Sequence, residues 1–248
     1  MPPSATSLTH RGLVREHNED AVLATSGGRL LACADGLGGL PAGVVASSLA
    51  LATLEAALGH YLEPTMVRRR AGERAWRERL RRAFLQAHEA IVEAGLVAAE
   101  QRGMATTLVA AVTTPRRAYL CHVGDVRAYR ASASELVRLT DDHSAVFDRV
   151  RSGELEVEAA RVHPERNVVT QALGISEGLA PATTVTRLRR GDLLLLCSDG
   201  LWETMSEREL GAYLGEKRSI ERTAEALLAH ALDAGGPDNI SLVLYRHD

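Results

Sequence analysis

The stretch RLLACADGLGG, residues 29–39, runs five apolar residues, Leu30 to Ala34, into an aspartate followed by a glycine. The strand this predicts is apolar enough to be buried, and a buried strand end is a costly place for an isolated negative charge. The construction recurs. LLLLCSDGLWE, residues 193–203, carries an apolar strand into Asp199-Gly200, and GGPDNISLVLY, residues 235–245, sets Asp238-Asn239 immediately before the last apolar run. Singly, each acid reads as a turn residue, because Asp-Gly and Asp-Asn are common turn dipeptides. Three strand-end carboxylates with no lysine or arginine adjacent ask for a cation.

Strand-length pieces also occupy Ala21–Thr25, Thr107–Thr113, Arg117–Val123, Val126–Arg130, Glu135–Leu139, Thr183–Leu188, Asp192–Cys197 and Ile240–Arg246, with SGG at 26–28 and TTPRR at 113–117 as tight antiparallel connections. Helical patterns cover Val44–Leu62, Ile220–Leu232 and Glu73–Arg102, the last placing Trp76, Leu80, Phe84, Ala87, Ile91 and Ala94 on one face as core packing. Helices arrive in blocks between runs of strands, which predicts antiparallel sheets with helices outside rather than a repeating βαβ order. Residues 141–174 are polar, with little core-forming pattern, and read as an insertion over the surface.

The formal net charge of −3, from 29 basic and 32 acidic residues, gives no reason to expect a nucleic-acid or anionic-membrane partner. Arg68–Arg70 with Arg74, Arg77, Arg79, Arg81 and Arg82 is interleaved with Glu73 and Glu78, as on a solvated helix face. No uninterrupted apolar run approaches the ~18–20 residues of a membrane span, and MPPSATSLTHRG lacks the apolar core of a signal peptide. The expected location is the cytoplasm. Cys33, Cys121 and Cys197 are far apart, without CxxC spacing, and read as buried free thiols.

The glycines after Asp35 invite a phosphate-cradle reading, but no lysine follows as GxxxxGK[ST] requires, and Gly36, Gly38 and Gly39 run into Leu40 and Pro41 rather than completing GxGxxG. Oxygen donors without interleaved histidine or cysteine favour a hard ion, Mg²⁺ or Mn²⁺. REHNED, residues 15–20, adds Glu19 and Asp20 with Arg15 four residues before the glutamate, and arginine's planar fork suits phosphate. A carboxylate cluster for two hard cations plus an arginine describes metal-assisted phosphoester hydrolysis by water.

These residues resemble the metal-dependent type 2C serine/threonine protein phosphatases in their bacterial form. RGLVREHNED, ADGLGGLPAG, GMATTLVAAV, HVGDVRAYR, LTDDHS, HPERNVVTQALG, LLLLCSDGLWE and GPDNISLV follow one another in the family's order from Arg11 onward. The resemblance implies an α+β fold, a four-layer α-β-β-α sandwich of two antiparallel β-sheets flanked by antiparallel helix pairs, and one phosphatase catalytic domain over 1–248 with 144–172 as a flap insertion. It implies that Asp35 bridges two metals, that Asp199 and Asp238 complete the first site, and that Glu19 and the Gly36 carbonyl serve the second. Asp20 would hold water at the metals, Arg15 would bind phosphate, and Asp125 would share a weaker third ion with Asp199. The expected partners are phosphorylated proteins and a cognate serine/threonine kinase, with the chain a monomer.

The chain departs from the family pattern at Leu37, where many members carry a histidine proposed as general acid; His17 is a distant substitute. Val126 and Val44 replace a common serine and a common acidic residue without removing a metal ligand. Asp125 after a glycine is also what an ordinary hairpin uses, and Arg15 is also placed to pair with Glu16 or Glu19. His143 and His163 read as structural residues of the flap, and Trp202 as core packing. The function expected is hydrolysis of phosphoserine and phosphothreonine in proteins. The alternatives are a phosphatase dedicated to one regulatory partner and an inactive phosphoprotein-binding relative. The second predicts loss of a metal acid, and every principal acid is present.

Overall fold

The computed structural model describes residues 4–37, 42–62, 71–160, 163–175 and 177–248. Gly38 and Gly39 of the opening stretch, the basic run 68–70 and flap positions 161 and 162 lie outside the described residues. The strands are β1 (Ser4–His10), β2 (Ala21–Ala24), β3 (Leu30–Leu37), β4 (Ala105–Thr114), β5 (Arg117–Val123), β6 (Arg127–Ala131), β7 (Leu136–Arg138), β8 (Ala182–Arg187), β9 (Leu193–Cys197) and β10 (Ile240–Arg246). They form two five-stranded sheets, ordered β1-β10-β9-β6-β7 and β2-β3-β4-β5-β8, with every pairing antiparallel.

Side-chain alternation sorts each strand between two cores. In β3, Leu30, Ala32 and Ala34 face α1 (Ala42–Leu62) and α2 (Glu73–Val97), where they meet Leu54, Leu58, Leu80, Phe84 and Ile91. Trp76 stacks on Tyr119 of β5 in the same layer, ring centroids 6.0 Å apart. Leu31 and Cys33 turn the other way, into the space between the sheets, with Val109, Leu120, Leu196 and Val243. On the far side Leu195, Cys197, Leu242 and Leu244 pack against α5 (Asp199–Trp202), α6 (Glu207–Gly215) and α7 (Ile220–Asp233). The layers run helix, sheet, sheet, helix.

Several elements differ from the sequence reading. The helix from Glu73 stops at Val97 because Ala98 turns extended (φ −113°, ψ 121°). α1 is long and apolar enough to cross a membrane by length and composition, Glu55 notwithstanding, but its Ala46, Ala50, Leu54 and Leu58 are buried against the sheet. β1 is an unforeseen edge strand, paired among the described residues with β10 alone. α6 is unforeseen too, although Ser206 and Glu209 form a capping box at its start. The polar insertion carries α3 (Ala145–Ser152) and α4 (Val157–Ala160), yet its Val146 is buried and Leu173 enters the α1/α2 core, bridged to Thr106. All three cysteines are buried free thiols, as expected.

Candidate active site

The alternation that builds the inter-sheet core also builds what lies at its edge. Continuing the column Leu31, Cys33 by one step gives Asp35; the same step along neighbouring strands gives Thr107 in β4, His122 in β5, Ser198 after β9 and Ser241 in β10. The apolar column becomes polar at one end of the sandwich, and the acids collect there. Asp199 opens α5 directly after β9, and Asp238 precedes β10, which pairs with β9.

Asp20 is buried, and its Oδ2 accepts a 2.8 Å hydrogen bond from Ser198 Oγ, which in turn accepts one from the Ser241 amide at 3.0 Å. The Oδ1 atoms of Asp20 and Asp199 are buried with no hydrogen-bond partner. Desolvation, then the mutual repulsion of these acids, pushes the carboxyls of Asp35 and Asp199 well above the ordinary range. Desolvation also raises Asp20 to about 6 and Asp125 to about 7, the latter helped by neighbouring Asp142. Glu19 is shifted upward more modestly, again chiefly by desolvation. The acids thus share one electrostatic environment. Among the described residues, however, no three side chains of histidine, cysteine, aspartate or glutamate close into a finished ligand cage.

Two glycines make the approach possible. A Cβ on Gly36 would lie 2.6 Å from the Glu19 carbonyl oxygen and closer still to that of Gly43, and a Cβ on Gly43 would strike the Glu19 carboxylate itself. They let the Glu19 segment close on β3 and the start of α1, where the positive end of the helix dipole favours a carboxylate. Ser47 Oγ of α1 donates to the Glu19 carbonyl at 2.7 Å.

Arg15 pairs with neither Glu16 nor Glu19. Its Nη2 lies 2.6 Å from Asp238 Oδ2, and with 57% of its side chain exposed it keeps donors facing solvent at the edge of the acid cluster. That bond, more than any other influence, strengthens its hold on the proton. Asp125 is not a hairpin residue, because β5 and β6 on either side of it belong to different sheets. Its carbonyl accepts from Trp202 Nε1 at 3.1 Å, and the Trp202 ring carries the Arg127 guanidinium 3.4 Å from its centroid. Arg127 is clamped to buried Asp142 at the base of the insertion, Nη2 to Oδ2 2.6 Å. Trp202 therefore only partly serves the core: it also lines a cleft of about 820 Å³ with Asp125, Arg138, Phe147, Arg166 and Glu203. The cleft runs from Asp125 beneath the insertion.

His143 accepts from the Gly124 amide, and its ring lies 4.8 Å from that of His122; burial lowers both, His143 to about 4. His163 accepts from the Glu165 amide within the insertion. Each ring is thus tied to a backbone amide. His17 is exposed, and its carbonyl rather than its ring is tied down. Leu37 ends β3. Sequence reasoning missed Ser198, Ser241, the Arg127–Trp202 pair and Asn239, whose partners all lie far away along the chain.

The donor set fits hard cations: oxygen atoms only, two of them buried carboxylate oxygens that no protein donor reaches. The model of the family described as protein phosphatase 2C matches residues 9–234. The chain is 35% identical over 243 residues to the serine/threonine phosphatase stp of Listeria monocytogenes, spanning 97% of this chain and 94% of that protein. A crystal structure of the Mycobacterium tuberculosis serine/threonine phosphatase PstP/Ppp matches with TM-score 0.88 at 35% identity over 99% of both chains. The PstP catalytic domain in complex with two manganese ions matches with TM-score 0.84 at 34% identity, covering 98% of this chain and 97% of that one.

Proposed function

The chain belongs to the protein phosphatase 2C family, and we propose that the acids at the sandwich edge are the machinery with which it hydrolyses phosphoserine and phosphothreonine in proteins. It is a protein-serine/threonine phosphatase, a metal-dependent phosphoric monoester hydrolase. The observation that carries the assignment of residues is the pair of buried, unpartnered Oδ1 atoms on Asp20 and Asp199, in a cluster whose acids repel one another.

In this reading Asp35, Asp199 and Asp238 would hold one Mn²⁺, and Glu19 and the Gly36 carbonyl, with Asp35, would serve a second. Asp125 and Asp199 offer a weaker third place, and Mg²⁺ is the competing ion. The two manganese ions of the PstP catalytic domain support the count of two. Bound cations of this kind lower the pKa of a shared water and offset charge building on the phosphoryl group. The protein's own groups do the rest. Asp20, fixed through Oδ2 by Ser198, keeps Oδ1 to orient the attacking water. Arg15, exposed beside Asp238, turns its fork to the phosphate oxygens. Leu37 has no proton to give, so the leaving oxygen takes one from solvent or from exposed His17.

We read the chain as one catalytic unit, with residues 144–172 as a flap that forms one wall of the Asp125 cleft. Its expected setting is the cytoplasm, as a monomer reversing a cognate kinase; three buried free cysteines are consistent with a reducing compartment. The test is turnover of a phosphothreonine peptide with Mn²⁺, abolished by chelator and by Asp35→Asn. No turnover by the wild type, or full turnover by that variant, would remove the assignment.

A further inference from the structure

Arg15, Glu19 and Asp20 stand on a segment, residues 11–20, that leaves one sheet at β1 and joins the other at β2. A connection crossing between sheets has no ladder to hold it, so its backbone groups need partners elsewhere. Three of them find the same one. Buried Asn239 accepts from the Glu19 amide at 2.8 Å through Oδ1, and through Nδ2 donates to the carbonyls of Arg11 at 2.9 Å and His17 at 2.8 Å.

Both amide hydrogens of Asn239 are used, and its oxygen faces a donor. Flipping the carboxamide would set oxygen against two carbonyls and NH₂ against an N–H, so the geometry fixes the orientation. The backbone amide of Asn239 also donates to Asp238 Oδ1 at 2.8 Å, while Asp238 Oδ2 takes Arg15. One residue thereby sets the Arg11–Glu19 segment and the Asp238 carboxylate against each other, across more than 200 positions of chain. Further ties support it: the Leu13 amide donates to the Gly236 carbonyl at 2.8 Å, and Asn18 Nδ2 to Thr9 Oγ1 at 2.7 Å. No other side chain reaches both ends of the segment among the described residues.

We infer that Asn239 is the positioning residue of this site: it touches no reacting atom, but holds Arg15 and Glu19 at the distance from Asp238 that lets one phosphate meet the arginine and the acid cluster together. The inference rests on the proposed roles of Arg15, Glu19 and Asp238. A carboxylate at 239 would keep the Glu19 bond and turn both donors into repulsions. Alanine would leave two carbonyls and an amide without partners.

The experiment compares wild type with Asn239→Asp and Asn239→Ala for three readouts: kcat and KM with a phosphothreonine peptide, inhibition by inorganic phosphate, and amide exchange by mass spectrometry. The expected result is a loss of phosphate inhibition and a rise in KM of about tenfold each, larger than any fall in kcat, with faster exchange confined to residues 11–20. A folded variant with unchanged phosphate inhibition, or with exchange raised evenly over the whole chain, overturns the inference. Should both variants fail to fold, Asn239→Ser, which keeps one donor, is measured the same way; its failure to fold as well would make Asn239 a residue of the fold alone, and the inference would be lost. If the wild type turns over no peptide, the proposed function fails separately, and the exchange arm alone still judges the clamp.

Discussion

The middle of the sandwich and its edge are built from the same columns of side chains and answer to opposite physics. At Leu31, Cys33, Leu196 and Val243 the space between the sheets is apolar and fully buried. Two residues along those strands the columns hold Asp35, Ser198 and Ser241, and the adjoining acids carry buried oxygens without partners. The first region stabilises the fold by removing apolar surface from water. The second opposes it, because desolvated carboxylates that repel one another raise the free energy of the folded chain. The comparison teaches that the strand period alone places the site, whereas the identity of the residue at the last step decides whether that position holds the protein together or does chemistry.

The largest expected effect on stability lies in the middle. Leu196→Ala should cost about 2–5 kcal/mol, read as a lower urea midpoint, while turnover per folded molecule well below that midpoint stays near the wild-type value. A cost under about 1 kcal/mol would mean that the inter-sheet space is not the close-packed core described.

Between the two extremes stands a pH effect. Asp20 and Asp125 have folded-state pKa values raised to about 6 and about 7, above those of an unfolded chain. Each ionised form therefore disfavours the fold. The stability this leaves in the chelator-stripped protein is fully present below about pH 4 and is lost as pH rises through 6 and 7. Mn²⁺ affinity should run the other way, tightening over the same window, since ionised Asp20 and Asp125 add negative charge beside the cation sites, and a protonated carboxyl does not. Melting curves at pH 5 and pH 8 with chelator, wild type against Asp125→Asn, check the first, because His122 and His143, lowered by burial, pull stability the opposite way in both proteins, and Mn²⁺ titrations check the second; a wild type whose stability relative to the variant does not fall from pH 5 to pH 8 would break the contrast between middle and edge.

The smallest effect belongs to the outside. Glu73 pairs with Arg77 at 3.0 Å and Arg117 at 3.1 Å, all partly exposed, so Glu73→Gln should shift stability by no more than about 1 kcal/mol. A larger loss would show that surface charge, not the two columns, governs this half of the molecule.

Much of this was legible in the sequence, for reasons that particular residues show. Arg117–Val123 and Ile240–Arg246 were readable to the residue because apolar strands between turn signals carry their own boundaries. β1 was not, because SATSLTH is an edge strand of mixed polarity whose pairing depends on β10. α6 was missed although Ser206-Glu-Arg-Glu209 announces a capping box. In the site, the strand-end acids identified themselves by their cost. Asn239 and Ser198 did not, since their partners, Glu19 and Asp20, lie at the other end of the chain, and no local pattern encodes a bond of that span.

The central claim is that the edge carboxylates are kept for cations at the expense of the fold, and Asp199→Asn tests it most directly. Amidation removes at once a metal ligand and a carboxyl whose ionisation the fold opposes. In chelator the variant should melt above the wild type, by about 2–4 °C for each kcal/mol gained, while Mn²⁺-dependent turnover of a phosphothreonine peptide falls by at least about a hundredfold. A variant that melts below the wild type in chelator, or that retains its turnover, would contradict the account.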